Sequence, residues 1–287
     1  KLPAEAQKLF LSPQILIVAK SDLKSKVHRE TYIDYIGIKQ FNEKGEVIGE
    51  RRVYGLFTSA AYFTYIRDIP LLRQKVQRIL KQSKLDPRSH AGRILINILE
   101  TMPRDDLIQG SEEELLQITQ GIFHLQDRKR IRLFARSDIF DRYVSCLVYV
   151  PKELYNTHFR KSIENIFEEH MQVASIDFST MFSESILARI HFLIHLKPGA
   201  SHPTQKVLDK IEKQLIEVGR TWLDDLQTYM YDAVGEEQGN LLYNRYKNAF
   251  SPSYTSYFTP RTAVVDIKYL ESLKEDAKLL MNFYRSL

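Results

Sequence analysis

A predicted strand at residues 185–196 places an arginine and two histidines on one face. Arg189, His191 and His195 alternate there with apolar residues, which is the period-two pattern of a strand with one buried face. The two histidines have the spacing of a zinc-binding pair on a helix. On a strand, however, residues four apart are about 13 Å from each other, too far to share one ion. The pattern therefore predicts a solvated or interfacial sheet face, whose cations can meet an effector carboxylate through charge-assisted hydrogen bonds.

A second basic pair, Arg51 and Arg52, lies in a predicted hairpin formed by residues 32–41 and 46–58. The turn between its strands ends at Gly45, a residue type that readily takes the positive φ of a tight turn. The two arginines offer the same carboxylate chemistry as the basic strand face. These five residues are the candidate effector or interface residues of the chain.

The sequence contains no motif of the common catalytic or nucleotide-binding classes. It has 11 glycines, and none falls in a G-x-G-x-x-G or a G-x-x-x-x-G-K-[ST] pattern. The G-x-S-x-G pattern of a nucleophile elbow is also absent. Cys146 lies inside a predicted strand, where a buried and inert thiol is expected. We therefore assign no catalytic, cofactor-binding or metal-binding residue.

Composition and charge restrict the remaining classes. The net charge is +5, and acidic residues interrupt both basic stretches, at 20–29 and 128–136. A mixed-charge solvated surface is expected, and binding of nucleic acid is a remote alternative. A single cysteine and the lack of a ~20-residue apolar segment are typical of a cytoplasmic protein without membrane spans. Because the chain begins with Lys1, we expect a piece of a longer protein.

The apolar periodicities predict an α+β fold in which antiparallel sheets are joined and followed by helices. The central pattern is two strands, an amphipathic helix capped by Asn156 or Thr157, and two further strands. A long helix capped by Ser201 is predicted over 201–235, with further helices to residue 287. Other predicted elements are a strand at 15–20 and three helices that begin near Pro70, His90 and Ser111.

Four long stretches resemble the large bacterial NAD-specific glutamate dehydrogenases. They are VHRETYIDYIGIKQFNEKGEVIGERRVYGLFTSAAY (27–62), YVSCLVYVPKELYNTHFRKSIENIF (143–167), LARIHFLIHLKPGA (187–200) and SPSYTSYFTPRTAVVDIKYLESL (251–273). The resemblance implies ACT-like, that is ferredoxin-like, sheet modules. It divides the chain into the end of one module (1–65), a helical connector (66–127), a second module (128–200) and helices leading toward a separate catalytic domain (201–287).

The resemblance implies a parent enzyme that converts L-glutamate to 2-oxoglutarate and ammonia with NAD, in amino-acid catabolism. The segment itself is expected to be inactive and to hold no cofactor. Two roles follow: an architectural region that contacts other domains or a second copy, and an amino-acid-sensing module that controls the enzyme allosterically. The junction at 136–142 contains no glycine, unlike typical effector loops, which favours the architectural role.

Overall fold

The computed structural model describes residues 15–27, 31–125, 128–139 and 142–273, which form two compact units divided between Ile216 and Glu217. The predicted parts of the chain before residue 15 and after residue 273 lie outside the described residues. Within these ranges the chain has antiparallel sheets and helices, which confirms the predicted α+β class. No helix of the described ranges is long and apolar enough to cross a bilayer.

The first sheet contains three antiparallel strands in the order β1-β2-β3. Their bounds are β1 Leu16–Ser25, β2 Thr31–Phe41 and β3 Val47–Gly55. The predicted hairpin is therefore confirmed, while the first strand extends five residues beyond its predicted end at Lys20. Asn42 builds the turn, because its side chain accepts hydrogen bonds from the backbone N–H groups of Lys44 and Glu46. Gly45 takes a φ of +78° there.

Five helices follow the first sheet. They are α1 Ser59–Phe63, α2 Pro70–Ser83, α3 His90–Thr101, α4 Arg104–Gln109 and α5 Glu112–Leu125. The three longer helices match the predicted ones. Helix α5 begins with a capping box, in which the side chains of Ser111 and Glu114 each accept a hydrogen bond from the other residue's backbone N–H group. The apolar stripes of α2, α3 and α5 pack into one core around Ile79, Leu95 and Leu115. Helices α1 and α4 were not predicted, because five or six residues are too few for a periodic pattern.

The second sheet has four antiparallel strands in the order β4-β5-β7-β6. They are β4 Arg132–Ser137, β5 Tyr143–Pro151, β6 Val173–Phe182 and β7 Leu187–Leu196. The helix α6 Thr157–His170 connects β5 to β6, with Asn156 as its cap, and α7 Gln205–Val218 follows β7. The path from β5 to α7 is ferredoxin-like. The edge position beside β5 is filled by β4, which precedes it in the chain.

Both faces of the second sheet are covered at its central strands, β5 and β7. The even-numbered residues of β7 pack with α6 and α7 in a core that contains Phe167, Phe192 and Ile211. On the opposite face, Leu147 packs into the apolar core formed by α2, α3 and α5. Because both of its faces are covered, strand β5 is buried along almost its whole length, and its sequence is a nearly continuous apolar run.

The second unit is helical. Its helices are α8 Trp222–Val234, α9 Glu236–Tyr246, α10 Pro252–Tyr257 and α11 Pro260–Ser272. The prediction of one helix over 201–235, capped by Ser201, was wrong, since α7 begins at Gln205 and a separate helix starts at Trp222. Thr221 and Asp224 form a capping box that satisfies the first N–H groups of α8 and so starts a new helix. Apolar periodicity alone does not reveal that one helix ends and another begins at Thr221.

Replacing Phe167 with alanine tests the packing of the second sheet. The ring is fully buried and lies 5.3 Å from the ring of Phe192. We expect F167A to lower the free energy of unfolding by about 3–5 kcal/mol, measured by urea denaturation. The control is F63A, whose side chain is 85% exposed. It should change stability by less than about 0.5 kcal/mol, and equal losses in both variants would contradict this packing.

Candidate functional site

The structure places the five predicted site residues on two strands. Arg51 and Arg52 are exposed on β3, where the Arg52 guanidinium lies 3.4 Å from the Glu50 carboxylate. The other three lie on β7, on the face turned toward the connector helices. Among the contacts between described residues, none joins the arginines of β3 to the basic face of β7.

The basic face of β7 is interfacial and not solvated. Arg189 donates a hydrogen bond to the carbonyl of Thr101, the last residue of α3. His191 lies 3.7 Å from a carboxylate oxygen of Asp106 in α4. His195 is buried, and its ring lies 4.2 Å from the ring of Tyr32 in the first sheet. Each of the three side chains therefore meets another element of the same unit.

A buried polar network surrounds Asp106, and the sequence did not reveal it. The Nη2 group of Arg136 in β4 donates to one carboxylate oxygen at 2.9 Å. The hydroxyl of Ser145 in β5 donates to the other oxygen at 2.7 Å, and it lies 2.9 Å from Nε2 of His191. Gln109 accepts from the hydroxyl of Tyr143 and from Arg136. The network joins α4 to three neighbouring strands of the second sheet.

Burial and the neighbouring charges determine the ionisation of this network. Desolvation by itself would raise the pKa of Asp106, but Arg136, His191 and the hydrogen bond from Ser145 outweigh it and hold the pKa below its usual range. Desolvation lowers the pKa of His191 more than the Asp106 carboxylate raises it. At neutral pH the network therefore holds one ion pair, Asp106 with Arg136, beside a neutral imidazole.

Ser145, His191 and Asp106 have the residue types of a hydrolytic triad but not its geometry. In a triad the serine and the carboxylate bond to different nitrogens of the imidazole. Here both approach Nε2, at 2.9 Å and 3.7 Å, and the serine bonds the carboxylate directly. Ser145 is 2% exposed, so no substrate reaches its hydroxyl. The cluster can hold elements together, but it is not arranged for acyl transfer.

A second network, buried at Lys20 and Asp34 and partly exposed at Asp105, connects α4 to the first sheet. Lys20 of β1 lies 2.5 Å from the Asp34 carboxylate of β2 and 3.2 Å from the Asp105 carboxylate of α4. Desolvation opposes the Lys20 charge, but Asp105 and Asp34 together raise its pKa. The second Asp34 oxygen accepts the backbone N–H of Phe57 at 2.8 Å. The ammonium thus remains charged while it joins two strands to the helix.

Asp105 and Asp106 therefore form a two-sided clamp on α4. Adjacent residues on a helix point in directions about 100° apart, so one carboxylate reaches the first sheet and the other reaches the second. We refer to these two aspartates as the α4 clamp. The sequence signal was present as two adjacent aspartates beside the apolar Leu107 and Ile108. It is weak, because two adjacent acids usually lie on a solvated face.

The Asp106–Arg136 pair has a measurable effect on stability. We expect D106N to lower the free energy of unfolding by about 3–5 kcal/mol, because it leaves the Arg136 charge buried without a counterion. The double variant D106L/R136M removes both charges and should recover most of that loss. Urea denaturation measures both, and D68N is the control, since Asp68 is exposed. A D106N variant as stable as D68N would contradict the network.

The buried histidines predict a dependence of stability on pH. Desolvation lowers the pKa of both His191 and His195 in the folded chain. Below about pH 6.5 the unfolded chain binds protons that these two rings do not bind when folded. The free energy of unfolding therefore decreases as the pH is lowered. H191Q should reduce this dependence between pH 7 and 5, measured by denaturation at each pH. The exposed-site control H158Q should leave it unchanged, and an unaltered slope in H191Q contradicts the assignment.

No group of three or more His, Cys, Asp or Glu side chains within the described ranges is placed to hold a metal ion.

Comparison with protein-family models gives three consecutive matches, all to regions of glutamate dehydrogenase. Residues 69–128 match its helical motif 1, residues 132–223 its ACT2 domain and residues 230–273 its helical motif 2. The first match spans α2 to α5, and the second spans all of the second sheet with α6 and α7.

Curated relatives match almost the whole chain. NAD-specific glutamate dehydrogenase of Halomonas elongata is 40% identical over 273 residues, or 95% of this chain. The protein of the same name from Pseudomonas aeruginosa is 37% identical over 96% of the chain, and that from Mycobacterium tuberculosis is 30% identical over 93%. The chain spans 17% of the length of each of these relatives. It therefore belongs to the family of the large NAD-specific glutamate dehydrogenases, as a segment that carries their helical motif 1, ACT2 domain and helical motif 2.

Proposed function

We propose that this chain is a regulatory and architectural segment in the N-terminal half of a bacterial, cytoplasmic NAD-specific glutamate dehydrogenase. The parent enzyme would oxidise L-glutamate with NAD and water to 2-oxoglutarate, ammonia and NADH. The segment would act by holding its two sheets in a fixed arrangement and presenting them to other domains or to a second copy. The α4 clamp is the single observation that carries this proposal.

The clamp supports an architectural role because buried ion pairs are strongly dependent on geometry. Asp105 and Asp106 come from adjacent positions of a six-residue helix, and each needs its own cationic partner in place. A shift of the second sheet would leave a buried charge of the Asp106–Arg136 pair without its partner, which costs several kcal/mol. A shift of the first sheet would remove Lys20 from the partly exposed Asp105. The two sheets are therefore held to α4, and through it to each other.

The residues of this chain do not fit a site for NAD. A dinucleotide needs a glycine-rich turn at the start of a helix to approach its pyrophosphate, and the sequence lacks one. We propose that the cofactor and the catalytic residues belong to the rest of the parent polypeptide. No catalytic step is assigned to the residues described here.

The exposed edge strands support contacts with partners. Val53 on β3 is 50% exposed, and on β6 the exposed fractions are 46% for Phe178 and 56% for Phe182. Apolar side chains on an open ladder edge favour pairing with another chain or domain. Arg51 and Arg52, also on β3, are interface residues under this proposal. Arg189 and His191 already bond inside the unit, so we propose a structural role for them.

The proposal is tested on the parent enzyme and on the isolated chain together. We expect the isolated chain to show no glutamate-dependent formation of NADH, measured by absorbance. In the parent, D105N/D106N should shift the assembly to smaller species in light scattering, because the sheets no longer present fixed edges. The KM for glutamate of the assembled fraction should stay unchanged.

The matched control in the parent is D68N, which alters an exposed aspartate outside both networks. It should leave assembly and turnover as in the unmodified enzyme. Turnover by the isolated chain would contradict the proposal. So would a clamp variant that assembles normally but has an altered KM for glutamate, because that result indicates a direct role in substrate binding.

A further inference from the structure

The edge strands of the two sheets differ in how accessible their backbones are. The edges are β1 and β3 in the first sheet and β4 and β6 in the second. On β1, the carbonyl of Lys20 accepts a hydrogen bond from the guanidinium of Arg142. On β4, the N–H of Leu133 donates to the Glu212 carboxylate at 2.8 Å. These side chains obstruct the addition of a further strand to β1 and to β4.

The backbone of β3 carries no such obstruction. Lys39 of β2 donates its N–H to the carbonyl of Ile15, beside β1, and the bonding direction alternates along an antiparallel strand. The even-numbered residues of β2 therefore bond to β3. Because Ile38 lies opposite Arg51, the odd-numbered residues of β3 point their backbone groups toward β2. The outward backbone groups, which bond to no other group in the described ranges, belong to Ile48, Glu50, Arg52 and Tyr54.

The side chains of these four residues are self-complementary. They lie on one face of the sheet, with Glu50 and Arg52 on either side of Arg51 and with Ile48 and Tyr54 outside them. Charged residues usually protect an edge strand from pairing. Here, however, a two-fold axis at Arg51 places Glu50 of each copy opposite Arg52 of the other. The same axis places Ile48 opposite Tyr54.

Charge selects this register over the registers on either side. An axis at Glu50 would place two glutamates opposite each other, and an axis at Arg52 would do the same with two arginines. Like charges that lie directly opposite destabilise a strand pair. The axis at Arg51 also brings two arginines together, but they are exposed and can turn into solvent. It gains two pairs of opposite charge in return.

We propose that β3 is a dimerisation edge, to which β3 of a second copy of this chain adds in antiparallel orientation about a two-fold axis at Arg51. The pairing joins two three-stranded sheets into one continuous sheet. Outward backbone groups supply the hydrogen bonds, and the Glu50–Arg52 pairs fix the register. Ile48 and Tyr54, which are 66% and 52% exposed, cover each other across the axis.

The two charged groups are arranged for this exchange of partners. The hydroxyl of Tyr35 donates to the Glu50 carboxylate and holds it in place. The Arg52 side chain is 48% exposed. Its bonds among the described residues are two long ones to its own Glu50, both at 3.4 Å. The guanidinium is therefore free to turn toward the carboxylate of the second copy, and its other N–H groups can bond there.

Strand β6 is also open, but its side chains do not select a register. Its one charged residue is Asp177, which lies 3.4 Å from His195 of its own sheet. An axis at Phe178 pairs that ring with its copy, and an axis at Thr180 pairs it with Phe182. Neither arrangement excludes the other, so the specific contact is assigned to β3.

This inference rests on the proposed architectural function and names the partner of its β3 edge. The two can fail separately. Dimerisation through β3 is measured on the isolated chain, whereas the architectural role is measured by the assembly of the parent enzyme carrying D105N/D106N. A chain that does not pair through β3 would leave the role of the α4 clamp in the parent intact.

Oxidative cross-linking of the 287-residue chain tests the register. At the axis, the two copies of residue 51 form a non-hydrogen-bonded pair with Cα atoms about 4.5 Å apart, which a disulfide can bridge. R51C should therefore give a covalent dimer on non-reducing gels. The matched control V53C, on the same face, should stay monomeric, because its two copies lie about 13 Å apart along the strands. The native Cys146 is buried, so the unmodified chain should not cross-link.

Sedimentation equilibrium tests the charge pairs. R52E places Glu50 opposite a second carboxylate at both pairs and should raise the Kd of the dimer by about tenfold or more. The matched control R51E makes the same change of charge one position away. It replaces one pair of like charges at the axis with another, so it should dimerise like the unmodified chain. Both positions are exposed, and circular dichroism verifies the fold of each variant.

Three results would overturn the proposal. The first is an unmodified chain that remains monomeric at the highest concentration that sedimentation allows. The second is cross-linking of V53C as readily as R51C, or of neither variant, since a dimer without the R51C bridge uses another surface. The third is equal dimerisation of R52E and R51E.

Discussion

The structure of the first unit depends on two carboxylates, a buried one and a partly exposed one, that leave a short helix in different directions. Asp106 is held by Arg136 of the second sheet, and Asp105 by Lys20 of the first. The Asp106 charge has no water to stabilise it, so it requires its partner at hydrogen-bond distance, whereas the Asp105 side chain is 32% exposed and water shares in stabilising its charge. Apolar burial by itself tolerates sliding between layers, whereas these pairs do not. The clamp therefore holds the two sheets in one position relative to α4.

The rest of the unit follows from that constraint. Because α4 lies on the face of β4, β5 and β7, this face is interfacial, and its histidines contact neighbouring elements, His191 the Asp106 carboxylate and His195 the ring of Tyr32. The opposite face packs with α6 and α7 through ordinary apolar contacts. The second sheet therefore packs through apolar contacts on one side, while polar contacts determine the position of its neighbours on the other side.

Much of this fold could be predicted from the sequence, because its longer elements are strongly periodic. The alternation along β7 and the apolar stripe of α6 are long enough to give both type and bounds. The positions of α1 and α4 could not be predicted, since five or six residues contain less than two helical turns. The break at Thr221 depends on a local capping box, which competes with an apolar stripe that continues through it.

The candidate site was harder to predict for a physical reason. Alternation along the strand correctly placed Arg189, His191 and His195 on one face, but it does not identify the layer that covers that face. Asp106 and Ser145 are about 40 residues apart in sequence, and nothing local to either one marks it as a partner of the other. Arg136 lies in a basic stretch that predicts a solvated surface. Long-range pairing of buried charges needs the tertiary arrangement itself.

Hydrogen exchange measured by mass spectrometry tests the clamp most directly. In the isolated chain carrying D105N/D106N, the account predicts faster exchange of backbone amides in β1, β2, β4 and β5 together, while helices α8 to α11 of the second unit keep the exchange rates of the unmodified chain. Faster exchange confined to α4, with both sheets as protected as before, would contradict the claim that these two aspartates hold the sheets in place.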